Sequence, residues 1–141
     1  MNLEEKAGQL HQISNPFAAT GSITPAGNYQ QQIKDGKIGS MLNMVGAVRT
    51  RQLQELALQS RLKIPLLFGQ DVIHGFRTIF PLPLAEAASW NLTAMERGCR
   101  IASIEASAAG FHWTFAPMID IGRDPRWGRV MEGAGEDTYL G

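Results

Sequence analysis

Three short, mostly apolar runs occur along the chain and predict buried strands. They cover residues 38–45, 64–68 and 115–121, with the sequences IGSMLNMV, IPLLF and FAPMIDI. Apolar residues follow one another in these runs instead of alternating with polar ones, which indicates parallel strands that are covered by helices on the outer side. Each run is also short enough for a strand and too short for a typical helix.

The first residues predict a short helix over residues 2–12, with Asn2 as a typical N-cap. Its apolar residues recur at spacings of four and three, which places them on one face: Leu3, Ala7 and Leu10. Residues 15–29 are rich in Gly, Pro, Ser, Thr and Asn. We predict a loop there, because these residue types favour turns.

Two longer helices are predicted between the strands. Thr50 is expected to cap the first of them. Thr93 and Glu96 fit a capping box at the start of the second, after a connection that holds Pro81 and Pro83. The apolar residues of the second helix repeat at spacings of four, three, four and three: Met95, Cys99, Ala102, Ala106 and Ala109. Such a stripe predicts a helix face that packs into the core.

The order strand, helix, strand, helix, strand indicates an α/β fold with parallel strands covered by helices. Open doubly wound sheets and closed barrels both begin in this way, but no glycine-rich phosphate-binding loop follows any of the strands. We therefore predict a (β/α)₈ TIM-type barrel. A complete barrel needs about 250 residues, so about three strands would form only its first part. The last residues, 135–141, predict neither a finished helix nor a tail, and we expect the barrel to be incomplete in this chain.

Composition argues against several classes of protein. Of 141 residues, 44% are hydrophobic and 18% charged, as in ordinary globular proteins, and 13 basic residues balance 13 acidic ones. Without a net positive charge, neither nucleic acid nor a membrane is expected as a partner. No stretch approaches the ~20 apolar residues of a membrane span, and no signal peptide is recognised. The single cysteine, Cys99, predicts neither a disulfide nor a thiolate metal site, and we expect it to be buried.

Polar residues follow the second and third predicted strands, at the ends where ligands bind in α/β folds. Asp71 and His74 lie in the sequence GQDVIHG, whose glycines permit close approach of the backbone. Arg123–Arg129 has the sequence RDPRWGR. Three carboxylates follow this loop: Glu132, Glu136 and Asp137. Asp71 offers an acceptor and Arg129 a fork of donors, a combination suited to vicinal hydroxyls.

Some of these polar residues are expected to be structural. Arg123, Asp124 and Arg126 are interpreted as an ion-paired cluster that fixes the shape of its own loop. His74 is expected to hold its loop through hydrogen bonds. Trp127 could stack on a sugar or brace the arginines, and the sequence favours neither. No zinc site is expected, because the two other histidines lack ligands at metal-binding spacing: His11 and His112.

Four segments occur in an order and at intervals that resemble glycoside hydrolase family 3, on its β-glucosidase side. They are GQDVIHG, the Phe80–Pro81 pair, APMIDIGRDPRWGR and EGAGEDTYLG, and the resemblance extends over essentially the whole chain. It implies a barrel with an aspartate nucleophile and a second, α/β sandwich domain with a glutamate acid/base. Both catalytic residues, and a sugar-binding Lys-His pair, would lie beyond Gly141. Residues 1–141 would then be the N-terminal portion of the barrel domain, with the second domain absent.

The resemblance also implies roles for residues of this chain. Asp71 matches an aspartate that accepts hydrogen bonds from hydroxyls of the terminal sugar, and Arg129 matches an arginine that donates to the same sugar. Glu132 matches a carboxylate that supports this arginine, and it is placed behind the sugar-binding residues together with His74. The full-length enzyme is expected to hydrolyse terminal β-D-glucosyl residues of β-glucosides or oligosaccharides with retention, without a metal or cofactor. The 141 residues alone are expected to be inactive.

Alternatives stay open at this point. N-acetylglucosaminidases of the family carry an Asp-Gln-Glu-Gly-Gly-type loop and xylosidases often have glutamate where Asp71 stands, so a glucose-like sugar is favoured over both. The chain could be a carbohydrate-binding module without catalysis, although three strands alone leave an unpaired edge. A further alternative is an unrelated barrel enzyme that acts on phosphorylated substrates. Relatives suggest a periplasmic or secreted location.

Overall fold

The computed structural model describes residues 1–15 and 27–140 and shows an α/β protein. Its helices and strands are α1 Leu3–Leu10, β1 Gln12–Ser14, α2 Tyr29–Lys34, β2 Ser40–Leu42, α3 Ala47–Ala57, β3 Leu67–Gln70, α4 Pro83–Ala88, α5 Leu92–Ala108, β4 Trp113–Thr114 and a 3₁₀ helix Val130–Glu132. The chain divides into two compact units. The first comprises Met1–Gln70 and Ala108–Thr114, and the second comprises Asp71–Ser107 and Phe115–Gly141.

The strands that the structure describes form one parallel sheet in the first unit, in the order β1-β2-β3-β4. Each strand pairs with the next one along the chain. This is the order of a (β/α)₈ barrel, whereas a doubly wound sheet reverses its order. The predicted α/β class, the parallel pairing and the identification of the chain as part of a TIM-type barrel are confirmed.

The sheet has one strand more than the sequence predicts. The predicted first helix extends to residue 12, but α1 ends at Leu10 because the backbone of His11 is extended, with φ −82° and ψ 117°. The next residues then pair with β2. Most of the predicted loop at 15–29 lies outside the described residues, and its last residue, Tyr29, begins α2.

The third predicted strand, residues 115–121, is wrong in position. The fourth strand of the sheet is Trp113–Thr114, which pairs with β3. Pro117 has no backbone N–H to donate to a neighbouring strand, and the run makes a single bridge, between Met118 and Gly133. The apolar run therefore forms a connection from β4 to the polar loop that follows.

One face of the sheet is buried. Ile13, Met41 and Phe68 occupy the same register position on three neighbouring strands, and they are 4%, 0% and 0% exposed. On the opposite face, Leu67 is 51% exposed. On this same face Ser40, which pairs with Leu67, is only 8% exposed and Gly69 is buried, so the opposite face is covered in part.

Three helices begin where the sequence does not predict them. α3 begins at Ala47, so Thr50 lies inside its first turn, where its hydroxyl donates to a carbonyl three residues earlier at 3.1 Å. α5 begins after Asn91, whose side-chain oxygen accepts from a backbone N–H at 3.0 Å and does the capping predicted for Thr93. α4 begins at Pro83 in the predicted connection, because proline suits a first helical position that needs no N–H donor.

The buried face of α5 is made of small residues. Ala102 and Ala106 are buried as predicted, but Cys99 is exposed and its neighbour Gly98 is buried instead. Glycine does not count in a search for apolar periodicity, although its missing side chain lets other groups pack closely against a helix. The prediction that Cys99 is buried is therefore wrong.

The apolar face predicted for α1 is exposed. Leu3 and Leu10 are 82% and 88% exposed. The helix instead turns Gly8 toward the protein, where a Cβ atom would overlap the carbonyl oxygen of Gly36. Among the described residues, no helix combines the length and the apolarity needed to cross a membrane.

Candidate functional site

Arg129 and Glu132 form a two-point ion pair in the second unit. Arg129 precedes the 3₁₀ helix, and a spacing of three residues places both side chains on the same side of this turn. Nε of Arg129 lies 3.0 Å from each carboxylate oxygen of Glu132, and Nη2 lies 2.5 Å from Oε2. Hydrogen bonding and opposite charge raise the pKa of Arg129 and lower the pKa of Glu132. The guanidinium is thereby held in one orientation.

Part of this guanidinium is free to bind a ligand. Nη2 also lies 3.7 Å from Sδ of Met118, and Nη1 donates to none of the described residues. The side chain of Arg129 is 56% exposed, against 25% for Glu132. Glu132 thus holds the arginine from one edge, and the Nη1 edge can bind an acceptor that arrives from solvent.

Two further carboxylates lie near Arg129. After the effect of Glu132, which is the largest, the charges of Asp120 and Asp71 also raise the pKa of Arg129. Asp71 comes directly after β3 in the chain, and its exposed side chain makes no hydrogen bond to the described residues. The structure therefore brings Asp71 and Arg129, which are far apart in the sequence, into one electrostatic environment.

Asp120 is not predicted from the sequence as a site residue. It lies inside the apolar run 115–121, and a charged residue in such a run was the available signal. Backbone packing explains its position: Met118 pairs with Gly133, and a Cβ atom on Gly133 would lie 3.2 Å from the carbonyl oxygen of Asp120. The connection and the turn after Arg129 therefore run side by side, which brings the Asp120 carboxylate near the guanidinium.

The loop after Asp71 is closed by His74 and Phe80. The backbone N–H of Phe80 donates to the carbonyl of His74 at 2.8 Å, and Nδ1 of His74 donates to the carbonyl of Phe80 at 3.2 Å. Nδ1 must carry the proton, because a carbonyl only accepts. Gly75 has φ +113°, and a Cβ atom there would overlap the carbonyl oxygen of Thr78. His74 thus makes the kind of contact expected of a loop-holding residue, and Gly75 permits the close backbone approach.

Glu86 of α4 lies near this histidine. Burial raises the pKa of Glu86, and the charge of His74 opposes the rise. No local motif in the sequence singles out Glu86, because its position near His74 follows from how α4 packs.

The loop before Arg129 is held by Asp124 and Arg126. Nη2 of Arg126 lies 2.7 Å from Oδ2 of Asp124, and the backbone N–H of Arg126 donates to Oδ1 at 2.9 Å. These bonds lower the pKa of Asp124 and raise that of Arg126. Arg123 forms no ion pair with a described residue, so it is not a member of the cluster that the sequence predicts. Trp127 is 37% exposed, which leaves both of its interpretations open.

Of the other polar residues named in the sequence analysis, Asp137, His11 and His112 bond to backbone groups, and Glu136 makes no hydrogen bond to the described residues. Asp137 accepts from two backbone N–H groups of its own turn at 2.9 and 3.0 Å, whereas Glu136 is exposed. His11 and His112 each bond through Nδ1 to a backbone group, at 3.0 and 3.3 Å. Within residues 1–15 and 27–140, no group of three or more His, Cys, Asp or Glu side chains is arranged to hold a metal ion.

Comparison with known proteins places these residues in a family. The sequence matches the Glycosyl hydrolase family 3 N terminal domain over residues 2–141. A periplasmic beta-glucosidase of Salmonella typhimurium is 47% identical over 99% of this chain and 18% of its own length. A putative beta-xylosidase of Formosa agariphila is 32% identical over 99% of this chain and 20% of its own length.

Solved structures of a beta-glucosidase from Listeria innocua share the fold of this chain. The complex with isofagomine is 42% identical with a TM-score of 0.86, and the complex with glucose is 40% identical with a TM-score of 0.84. Each comparison covers 99% of this chain and 20% of the Listeria chain, so this chain spans about a fifth of the length of the relatives that it matches. Because the family match extends over nearly every residue, the chain belongs to glycosyl hydrolase family 3.

Proposed function

We propose that this chain is the N-terminal part of a β-glucosidase that removes terminal, non-reducing β-D-glucosyl residues with retention of configuration. Its contribution is to grip the terminal sugar, at the −1 subsite, through Asp71 and Arg129. The observation that carries the proposal is the electrostatic proximity of these two side chains, in a chain 47% identical to a periplasmic beta-glucosidase.

Asp71 and Arg129 offer complementary hydrogen-bonding groups. The carboxylate of Asp71 only accepts and the guanidinium of Arg129 only donates, so together they can bind neighbouring hydroxyls of one sugar. Asp71 has no hydrogen-bonding partner among the described residues, and Glu132 occupies only the Nε and Nη2 edge of Arg129. In this arrangement Glu132 is a positioning residue, which fixes the direction of the Nη1 donors.

The carboxylates near Arg129 suit the charge of the reaction. Glycoside hydrolysis passes through a transition state with positive charge on the sugar ring. An isolated guanidinium beside the ring would oppose that charge, but the three carboxylates of Asp71, Asp120 and Glu132 lie near Arg129. The group as a whole is negative, so Arg129 can donate to the sugar without destabilising the transition state.

The bond-breaking groups lie outside this chain in the proposed enzyme. In the first step an aspartate carboxylate attacks the anomeric carbon while a glutamic acid gives its proton to the departing oxygen. In the second step the glutamate takes a proton from water, the water oxygen attacks the anomeric carbon, and the aspartate is released. Asp71 and Arg129 transfer no proton. Their hydrogen bonds to the sugar strengthen as its ring flattens, which lowers the barrier.

The rest of the barrel and a second, α/β sandwich domain supply those bond-breaking groups. We therefore expect the purified 141-residue chain to hydrolyse no aryl β-glucoside. The full-length protein that contains this chain is the positive control. Turnover above background by the 141 residues alone would show that the catalytic groups are assigned to the wrong part of the protein.

A substrate panel tests the proposed activity. The full-length protein is assayed with the p-nitrophenyl derivatives of β-glucose, β-xylose and β-N-acetylglucosamine, and the anomer first released from the glucoside is identified by NMR. We expect the highest kcat/KM for the glucoside and β-glucose as the first product. A preference for the xyloside would favour the β-xylosidase alternative, to which the similarity to a putative beta-xylosidase points. Glucose binding without hydrolysis would favour a carbohydrate-binding module, and α-glucose as the first product would contradict retention.

A further inference from the structure

Glu105 of α5 binds the loop between Asp71 and Phe80 through three hydrogen bonds. Oε2 accepts from the backbone N–H groups of Arg77 and Thr78, both at 2.8 Å, and Oε1 accepts from the hydroxyl of Thr78 at 2.7 Å. These bonds, led by the one from the Thr78 hydroxyl, lower the pKa of Glu105. The carboxylate is therefore ionised at neutral pH, and both of its oxygens accept.

The packing of α5 fixes the position of this carboxylate. Glu105 is half-buried and lies beside the buried face of the helix, three residues after Ala102 and directly before Ala106. Both alanines are buried, so the helix cannot rotate about its axis without exposing them. A rigid helix therefore presents the carboxylate to the loop in one direction.

The tip of the loop needs a polar anchor. Arg77, Thr78 and Ile79 are all exposed, so burial of apolar side chains does not hold them in place. Gly75, at the start of the tip, has a backbone conformation that other residues rarely adopt, and glycine is also the residue that moves most easily between conformations. The contacts between His74 and Phe80 close the base of the loop, and Glu105 holds its tip.

We propose that Glu105 is a positioning residue for sugar binding, which keeps Asp71 in place near Arg129 by anchoring the tip of the loop that Asp71 begins. This inference rests on the proposed function. Without the anchor, the loop can open from its tip toward its base. A displacement of about 1 Å is enough to cost a well-aligned site as much as about a hundredfold in rate, so Asp71 is sensitive to small movements of its loop.

Three substitutions in the full-length protein separate anchoring from general stability. Glu105→Ala removes all three bonds. Glu105→Gln keeps a carbonyl oxygen for the two backbone N–H groups, and its amide can donate to the Thr78 hydroxyl, so it should rescue the anchor. Thr78→Val removes only the hydroxyl bond. Glu96→Gln is the matched control, because Glu96 is an exposed carboxylate on the same helix with no hydrogen bond to the described residues.

Two measurements are made on each variant: kcat and KM with an aryl β-glucoside, and hydrogen exchange of the amides of residues 77 and 78. For Glu105→Ala we expect exchange to accelerate at least tenfold and kcat/KM to fall at least about tenfold, with KM raised. Glu105→Gln and Glu96→Gln should stay within about threefold of wild type in both measurements, and Thr78→Val should fall between Glu105→Gln and Glu105→Ala.

The outcomes distinguish this inference from the proposed function. A wild-type protein without β-glucosidase activity contradicts the proposed function. If the wild type is active and the Glu105→Ala amides exchange faster while its kcat/KM stays within about twofold of wild type, the contact is merely structural. That result overturns the positioning role. Unchanged exchange in Glu105→Ala overturns the anchor itself. If Glu105→Ala does not fold, Thr78→Val takes its place, and effects on exchange and kcat/KM no larger than those of Glu105→Gln overturn the inference.

Discussion

The guanidinium of Arg129 faces the carboxylate of Glu132 across a single helical turn, and the two are joined through Nε and Nη2. A bidentate pair of this kind fixes direction as well as charge. Because Glu132 takes one edge of the guanidinium, the direction of the remaining Nη1 donors is set before any ligand arrives. Because the arginine is already oriented, less conformational entropy is lost when a ligand binds.

Glu132→Gln tests this orientation in the full-length protein. The substitution keeps the shape of the side chain but removes its charge and one of its acceptors, so Arg129 is held less tightly. We expect kcat/KM for an aryl β-glucoside to fall about tenfold. Glu136→Gln, at a nearby exposed carboxylate, is the matched control and should keep wild-type kinetics. Wild-type kinetics in Glu132→Gln would contradict the positioning role.

Asp71→Ala removes the proposed acceptor for the sugar. The sugar loses a charged hydrogen-bonding partner, so we expect the transition state to be destabilised by roughly 3 kcal/mol, which lowers kcat/KM about 150-fold. Asp71→Asn keeps one acceptor oxygen and should fall between the alanine variant and wild type. Steady-state kinetics with an aryl β-glucoside give the result, and circular dichroism checks that each variant is folded. A loss below about threefold would remove Asp71 from the site.

Gly75→Ala should damage the loop, whereas Gly98→Ala should not. At Gly75 a Cβ atom would overlap the carbonyl oxygen of Thr78 in a backbone with φ +113°. At Gly98, in the middle of α5, its nearest neighbours would be Glu86 at 3.5 Å and Phe80 at 3.7 Å, which is ordinary contact. Alanine also favours a helix over glycine by up to about 1 kcal/mol.

Thermal unfolding and kcat/KM of the two glycine variants test this contrast. We expect Gly75→Ala to lose activity and Gly98→Ala to keep it, with an equal or higher melting temperature. Equal melting temperatures and equal kcat/KM in the two variants would show that the loop does not require the Gly75 backbone conformation.

Glu5 and Arg61 should make the stability of α1 dependent on pH. Two bonds of 2.7 Å join the guanidinium to the Glu5 carboxylate, and with the capping bond to Asn2 they lower the pKa of Glu5 from its ordinary 4.5 to about 2. A carboxyl whose pKa is lower in the folded state stabilises that state above its unfolded pKa. This stabilisation is lost as the pH falls through the folded pKa.

Hydrogen exchange of the α1 amides measures this effect. At equal pH, Arg61→Ala should exchange faster than wild type near neutrality, and the difference should shrink as the pH falls from 4.5 toward 2. The matched control is Lys37→Ala, which breaks the exposed 3.8 Å pair between Lys37 and Asp35 and should change little. A difference between Arg61→Ala and wild type that persists unchanged to the lowest pH would contradict the assignment to Glu5.

Much of the fold can be predicted from the sequence. The apolar runs at 38–45 and 64–68 contain or overlap β2 and β3, and helical periodicity locates most of α3 and α5. These features are predictable because a strand or helix that buries one side must repeat its apolar residues with the period of its own backbone. The run at 115–121 does not form the predicted strand. Apolar character alone does not show whether a neighbouring strand offers free backbone N–H and C=O groups for pairing.

The candidate site is predicted only in part. Asp71, Arg129 and Glu132 follow from motifs that are contiguous in the chain, and their roles in sugar binding stay predictions. Asp120 and Glu105 are missed. The bond between Glu105 and Thr78 joins residues 27 positions apart, and its existence depends on how α5 packs and not on any local pattern.

The sequence by itself determined the α/β class, the parallel strands and the polar residues that follow them, since these depend on local periodicity and on short motifs. The tertiary structure decided which faces are buried, so that Gly98 turns inward and Cys99 outward. It also decided which carboxylates lie near Arg129 and which one holds the loop after Asp71. These features depend on the tertiary structure because charge and hydrogen bonding act between atoms that are close in space. Segments that are distant in the sequence become close only when the chain has folded.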